Sequence, residues 1–275
     1  MKLNKILTIL STLLLNFIFI TQLHADTHAT EALVKQAMQG NHRSEQNKAR
    51  DVYRHPKETL MFFGIKPDMK VLEILPGRGW YTEILAPVLK DKGQLTVASF
   101  GKNHPNDYLR GIHDDFINYL DSNPELYGKV KRELFENNGH LREIPDNSQD
   151  MVVTFRNTHN WIRYGGIESA YQSFHRVLKK GGILGVVQHR ANKGSDPKQS
   201  AEKGYVPQSY LIKLIESMGF ELVDVSEINA NPKDTKDHPK GVWTLPPSYR
   251  LKDVDKAKYT AIGESDRMTL RFIKL

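Results

Sequence analysis

From Val71 onward, strand-like and helix-like runs take turns to the C-terminus, and this alternation restricts the fold of the chain more than any other feature. Apolar or period-two runs at Val71–Leu75, Leu95–Phe100, Met151–Phe155, Ile183–His189, Glu221–Ile228 and Thr269–Ile273 predict strands, with a further short one near His140–Ile144. Helical periods at Tyr81–Leu89, Asp107–Leu120, Glu125–Glu136, Ile167–Leu178 and Gln208–Met218 fall between them. Such alternation predicts an α/β protein with a mostly parallel sheet, because each crossover lays a helix on one face of the sheet.

Residues 26–70 read instead as helices, Glu31–Met38 and His55–Phe63, the second opening with Pro56 as an early-turn residue. Two polar segments interrupt the later rhythm: 191–205, and 229–268 with prolines at 232, 239, 246 and 247. Loops of that length in a compact domain are usually lids, binding loops or links. The expected organisation is thus a helical cover over 26–70 and one domain over 71–275 with an inserted loop at 229–268.

The first 25 residues read as an export signal. Lys2 and Lys5 precede an apolar run from Ile6 to Ile20, and Ala25 supplies the small residue required for cleavage. At about 1.5 Å per residue, this run falls short of a hydrocarbon layer roughly 30 Å thick. The expectation is an exported, periplasmic protein cut after Ala25, with no stable membrane span afterwards. Cleavage removes two lysines and no acid, leaving 37 basic against 32 acidic side chains. With these scattered and no long basic run, no nucleic-acid partner is expected. The chain has no cysteine, which excludes a disulfide framework and any Cys–His metal spacing, and no metal is expected.

The sharpest local signal runs from Val71 to Thr82, where a buried strand passes through Gly77-x-Gly79 directly into a helix. That context brings backbone N–H groups and a helix N-terminus up to a ligand. A dinucleotide site calls for a third glycine at position 82, where Thr82 stands, which disfavours a nicotinamide reductase. Glu73 lies inside the strand, where an ionised carboxylate is costly unless it is paired.

Glu73-Ile-Leu-Pro-Gly-Arg-Gly79 resembles the first motif of class I S-adenosylmethionine-dependent methyltransferases. Pro145–Val153 is similar to the approach to their fourth strand, and Arg176–Leu184 to the helix end and turn before the fifth. The three motifs occur in order and span about Lys70 to Ile228. Gly77–Pro87 and Gly241–Pro247 further resemble a subgroup of exported methyltransferase-like proteins.

The resemblance implies a Rossmann-like sheet of seven strands, the last inserted antiparallel, with S-adenosylmethionine as cofactor. It places Gly77, Gly79 and Tyr81 beside the methionine part, with Glu73 reaching its ammonium. The ribose-binding acid of the family falls, by count, on Ser99, and the first glycine of the family turn is Leu75; both are departures. Asn157, just past the fourth strand, is a further cofactor candidate. The same edge carries the acceptor candidates Trp161 and Arg190, joined by Arg54 from the helical cover. His159 or His189 would act as general base if the acceptor is protonated. The residues alone also allow a capping loop at 156–161, a satisfied half-buried His189 and a simple helix start at Arg54. The implied reaction is methyl transfer to a small-molecule or cell-envelope acceptor, and the rival reading is a ligand-binding or scaffold protein that retains the fold without the chemistry.

Overall fold

The computed structural model describes residues 26–275; the export signal read at 1–25 lies outside them. The chain opens with helix α1 over 26–39, followed by the short helices α2 (Glu45–Lys48) and α3 (Asp51–Arg54) and by α4 (Pro56–Phe63). Then come β1 (Lys70–Ile74), α5 (Thr82–Leu89), β2 (Gln94–Ser99), α6 (Asp107–Asp121), α7 (Pro124–Tyr127) and β3 (Lys131–Leu134). The second half holds β4 (Gln149–Phe155), α8 (Thr158–Tyr164), α9 (Ile167–Val177), β5 (Leu178–His189), α10 (Pro197–Glu202), α11 (Gln208–Glu216) and β6 (Phe220–Ser226). A 3₁₀ turn at Gly241–Thr244, helix α12 (Lys256–Ile262) and β7 (Arg267–Lys274) complete it.

The seven strands form one sheet in the order β3-β2-β1-β4-β5-β7-β6. All neighbouring pairs are parallel except β7, which runs antiparallel to β5 and β6. The chain starts in the middle at β1, winds outward to β3 and returns to β4, so strand order reverses between β1 and β4. In an open α/β sheet, ligands bind at such a switch point, outside the carboxyl ends of the strands.

Side chains alternate across the sheet and feed two cores. Val71, Met151, Val153 and Phe155 face α5 and the helical cover, whereas Leu72, Ile74, Val152, Leu184 and Val186 face α9 and α11. Helix α9 turns Ile167, Ala170, Tyr171, Phe174 and Val177 to the second core at helical spacing. Burial on both faces explains why β1 is buried continuously from Val71 to Ile74 and apolar there except at Glu73.

The region from 125 to 144 corrects the sequence reading. The helix expected over Glu125–Glu136 is a single turn, α7, whose next residue is Gly128, and the following Lys131–Leu134 is an edge strand in register with Thr96–Ser99. No strand forms at 140–144, although Leu141 and Ile144 are buried. β3 lies at the edge and buries almost nothing, so its sequence Lys-Arg-Glu-Leu carries no strand periodicity and consists of good helix formers.

The two interrupting segments are tied down. Buried Asp234 accepts from Tyr205 Oη at 3.0 and 3.1 Å, is hydrogen-bonded to His238 Nε2 at 2.9 Å, and accepts from the backbone N–H of Asp266 at 2.8 Å. Asn229 donates to Thr59 Oγ1 and Thr269 Oγ1, both at 2.9 Å, joining this segment to α4. On the other side, Arg43 bridges Asp51 at 2.8 Å and Glu83 at 3.2 Å, which fastens the helical cover to α5. Cover and insertion thus meet over the carboxyl edge of the sheet. Among the described residues, no helix is long and apolar enough to cross a membrane.

Candidate functional site

The turn after β1 carries three left-handed residues at every second position: Leu75 (φ 48°), Gly77 (φ 62°) and Gly79 (φ 89°). The two glycines have different jobs. A Cβ on Gly77 would meet nothing within 4 Å, so this backbone faces open space, whereas a Cβ on Gly79 would lie 3.0 Å from the Phe116 ring of α6. Gly77 keeps room for a ligand; Gly79 permits close packing of turn and helix. Leu75 holds the left-handed shape without glycine's freedom, and its N–H bonds Ala98 O at 2.8 Å. A leucine kept there is strained, and such strain persists where the surrounding structure demands the shape.

Glu73 is 1% exposed, and its carboxyl accepts from Thr82 Oγ1 at 2.7 Å and makes no ion pair among the described residues. Burial pushes its pKa up to about 8, against the hydroxyl hydrogen bond that lowers it. The acid is therefore protonated at neutral pH, buried beneath the turn and able to ionise when a cation arrives. Thr82 is thus more than an absent third glycine: it is the partner of Glu73, a role that spacing alone does not reveal.

Beyond the turn, a groove of about 540 Å³ runs along the carboxyl ends of β2 and β3, lined among others by Ser99, Phe100, His104, His113 and Asn137. Ser99 Oγ is hydrogen-bonded to His113 Nδ1 at 3.0 Å and donates to Phe100 O at 3.1 Å. The position where the family would carry an acid is a Ser–His pair, and His113 is a groove residue that sequence reading missed. Its distance of 14 positions in sequence gave no signal.

Asn157 donates through Nδ2 to Ile74 O at 3.0 Å, Leu75 O at 3.4 Å and Thr154 Oγ1 at 3.2 Å. It clamps the ends of β1 and β4 together and supports the turn from behind. Tyr81 is also internal: its ring stacks on Phe155 at 3.5 Å, and its hydroxyl donates to Arg54 O at 3.3 Å. Both position the site's backbone rather than present a free group to a ligand.

Two of the acceptor candidates are occupied elsewhere. Trp161 sits in the second core against Phe135, Tyr171 and Phe174. Arg190 spends every guanidinium N–H on the protein, with Asp266, Glu227 and Gln208 accepting. It locks the end of β5 to the insertion and has no donor left for an acceptor.

His159 and His189 do come together at the ends of β4 and β5, with ring centroids 5.7 Å apart. Burial lowers the pKa of His159 to about 3 and that of His189 well below its ordinary value. Gln188 Nε2 lies 3.1 Å from Gly204 O and 3.2 Å from His159 Nδ1. The carbonyl accepts only, which fixes the amide orientation; Nδ1 of His159 therefore accepts and the ring proton sits on Nε2. An imidazole so acidic in its charged form is a poor general base near neutrality, and His159 offers a hydrogen-bond donor instead. His189 Nδ1 pairs with Ser265 Oγ.

Arg54 is 2% exposed, at the C-terminal end of α3, with its guanidinium 4.5 Å above the Trp80 ring and Nε on Glu264 at 3.3 Å. Its Nη1 is buried without a hydrogen-bond partner among the described residues. Arg156, one residue past β4 and left-handed at φ 65°, exerts the strongest charge effect on it.

The strand order, the inserted antiparallel β7 and the turn at the end of β1 define the class I methyltransferase fold. The chain is similar in structure to a SAM-dependent methyltransferase from Aquifex aeolicus (15% identity, TM-score 0.53, 82% of this chain and 93% of that one). It is likewise similar to a geranyl diphosphate C-methyltransferase from Streptomyces coelicolor A3(2) (12% identity, TM-score 0.55, 87% of each chain). A third similar structure is the [4+2]-cyclase SpnF (16% identity, TM-score 0.55, 86% of this chain and 84% of that one). By sequence, the chain matches no protein-family model and no curated protein.

Proposed function

We propose that the protein transfers a methyl group from S-adenosylmethionine to a small-molecule or cell-envelope acceptor, and that it does so after export to the periplasm. The observation that carries the cofactor assignment is the pairing of open space at Gly77 with the buried, protonated Glu73 beneath the same turn. A ligand with an ammonium group fits there, because it supplies the cation that Glu73 lacks. The nucleoside end would follow the groove past Ser99 and His113. When bound, S-adenosylmethionine supplies a methyl group on a sulfonium and leaves as the neutral thioether S-adenosylhomocysteine, a molecule that the structurally similar geranyl diphosphate C-methyltransferase holds.

The chain's own part is positional. Asn157 fixes the turn, His159 presents an Nε2–H donor at the end of β4, and the helical cover and insertion exclude water from the edge between them. Good orientation alone can supply roughly 7–11 kcal/mol of such a barrier. Burial holds His159 and His189 neutral and makes both poor bases near neutrality, so the reading favours an acceptor whose nucleophile is already unprotonated.

Calorimetry with S-adenosylhomocysteine at pH 6.5 tests the cofactor assignment. If its ammonium meets Glu73, binding releases close to one proton, seen as different heats in buffers of different ionisation enthalpy. Binding without proton release would remove Glu73 from the site, and no binding would overturn the assignment. Ser99 in place of an acid, together with a cyclase on the same fold, favours as second reading a binder without methyl transfer, and turnover assays on tightly bound cofactor separate the two.

A further inference from the structure

Four arginines meet at the carboxyl edge on the β4 side of the switch point, and one carboxylate serves three of them. Glu264 takes Arg50 at 2.7 Å, Arg54 at 3.3 Å and Arg267 at 3.0 Å, and these charges hold its pKa far below the usual carboxylate range. Two other acids of the same elements are committed: Asp51 to Arg43, and Asp266 to Arg190 and Lys236. Among the described residues, Arg50 Nη2 and Arg54 Nη1 are buried without a hydrogen-bond partner, as is His55 Nδ1. Arg156 is half-buried, and its guanidinium makes no hydrogen bond or ion pair among the described residues. A buried cation with unmet donors is costly unless an anion completes it.

The placement of the cluster separates it from the cofactor's groove. Arg156 follows Phe155 directly and bonds Val187 O through its N–H at 2.7 Å, while Arg267 is in register with His189. The ends of β4, β5 and β7 therefore carry the cationic group, and the ends of β2 and β3 carry the Ser99 groove. The glycine turn lies between them. His55 (φ 40°) and Arg156 (φ 65°) are both held left-handed without being glycine, so the backbone accepts strain to keep these side chains where they are.

Building on the proposed methyl transfer, we infer that Arg54 and Arg156, backed by Arg50 and Arg267, form a receptor for an anionic group, a carboxylate or phosphate, carried by the methyl acceptor. Guanidinium groups suit such an oxyanion because they offer paired N–H donors and never lose their charge at working pH. The anion would neutralise part of the excess charge and draw the acceptor's remaining atoms toward the turn at Gly77.

The test uses inorganic phosphate and S-adenosylhomocysteine as separate probes on the wild-type chain, Arg156→Gln and Arg156→Lys. Phosphate should raise the melting temperature of the wild type and bind at least tenfold more weakly to Arg156→Gln, with partial recovery in Arg156→Lys. Without phosphate, Arg156→Gln should melt no lower than the wild type, since it relieves like-charge repulsion. S-adenosylhomocysteine affinity should stay within twofold in all three. Equal phosphate binding by wild type and Arg156→Gln overturns the receptor. Competition between phosphate and S-adenosylhomocysteine, with both lost in Arg156→Gln, assigns the arginines to the cofactor's own carboxylate and overturns the acceptor role. If phosphate binding depends on Arg156 while S-adenosylhomocysteine fails to bind, the methyl-transfer reading falls and the anion receptor stands.

Discussion

Replacing Glu73 by Gln should stabilise the ligand-free protein, and by an amount that grows with pH. The carboxyl is fully buried with Thr82 as its hydrogen-bond partner, and burial raises its pKa from 4.5 to about 8. A folded-state pKa above the unfolded value means that the fold favours the protonated acid. The stability this gives is complete below about pH 4.5 and drains away as pH rises toward 8. At 1.36 kcal/mol per unit, the cost is about 1 kcal/mol at pH 5 and about 4 kcal/mol at pH 7.5. Glutamine keeps the acceptor oxygen for Thr82 and cannot ionise, so it should escape the whole cost. Urea unfolding of both proteins between pH 5 and pH 7.5 measures the difference, and subtracting one curve from the other cancels the groups they share. The gap should widen by about 3 kcal/mol over that range. A gap independent of pH would mean that Glu73 is ionised and paired in the ligand-free protein, and the account of the buried acid would fail.

Gly77→Ala should still fold at a cost of about 1 kcal/mol of left-handed strain, because its Cβ enters open space, and should bind S-adenosylhomocysteine at least tenfold more weakly; unchanged affinity would show that the turn serves structure alone. Gly79→Ala should instead lose about 2 kcal/mol in chemical unfolding, from left-handed strain and the approach to Phe116, and a loss under about 0.5 kcal/mol would contradict the packing role. Ser99→Asp should tighten S-adenosylhomocysteine binding about tenfold in calorimetry by offering a charged acceptor to the ribose hydroxyls, and weaker binding would indicate that the Ser99–His113 pair already performs that task. Since the pKa of His159 is lowered to about 3, the unfolded chain binds the extra proton below pH 6.5 and stability falls with acid; His159→Gln should remove about 2 kcal/mol of the loss between pH 7.5 and pH 5.

The proposed cofactor half of the site was more legible in the sequence than the proposed acceptor half, for a physical reason. Gly77, Gly79 and Glu73 lie within seven residues of one strand–turn–helix, so local spacing places them together. The proposed acceptor edge is assembled from α3, the ends of β4 and β5, and the start of β7. Trp161 and Arg190 looked available because an aromatic and a cation after a strand suit a ligand, but their partners, Phe174 and Asp266 among them, come from distant segments. Glu264, which organises the arginines, had no local pattern to announce it. The protonation states of His159 and His189 were equally hidden, because they depend on burial.

Hydrophobic periodicity by itself determined the alternation of strands and helices, the parallel centre of the sheet and the turn after β1, since burial on both faces demands continuous apolar strands and a left-handed turn favours glycine. Only the tertiary structure decided that Lys131–Leu134 is a strand, because an edge strand is held by pairing with Thr96–Ser99 and leaves no burial pattern in its sequence. It alone decided which charges are paired and which are left over, since a guanidinium's partner depends on distance in space. Arg190, with every guanidinium donor filled, and Arg156, with no guanidinium donor filled among the described residues, look alike as letters, and their surroundings make one an anchor and the other a candidate receptor.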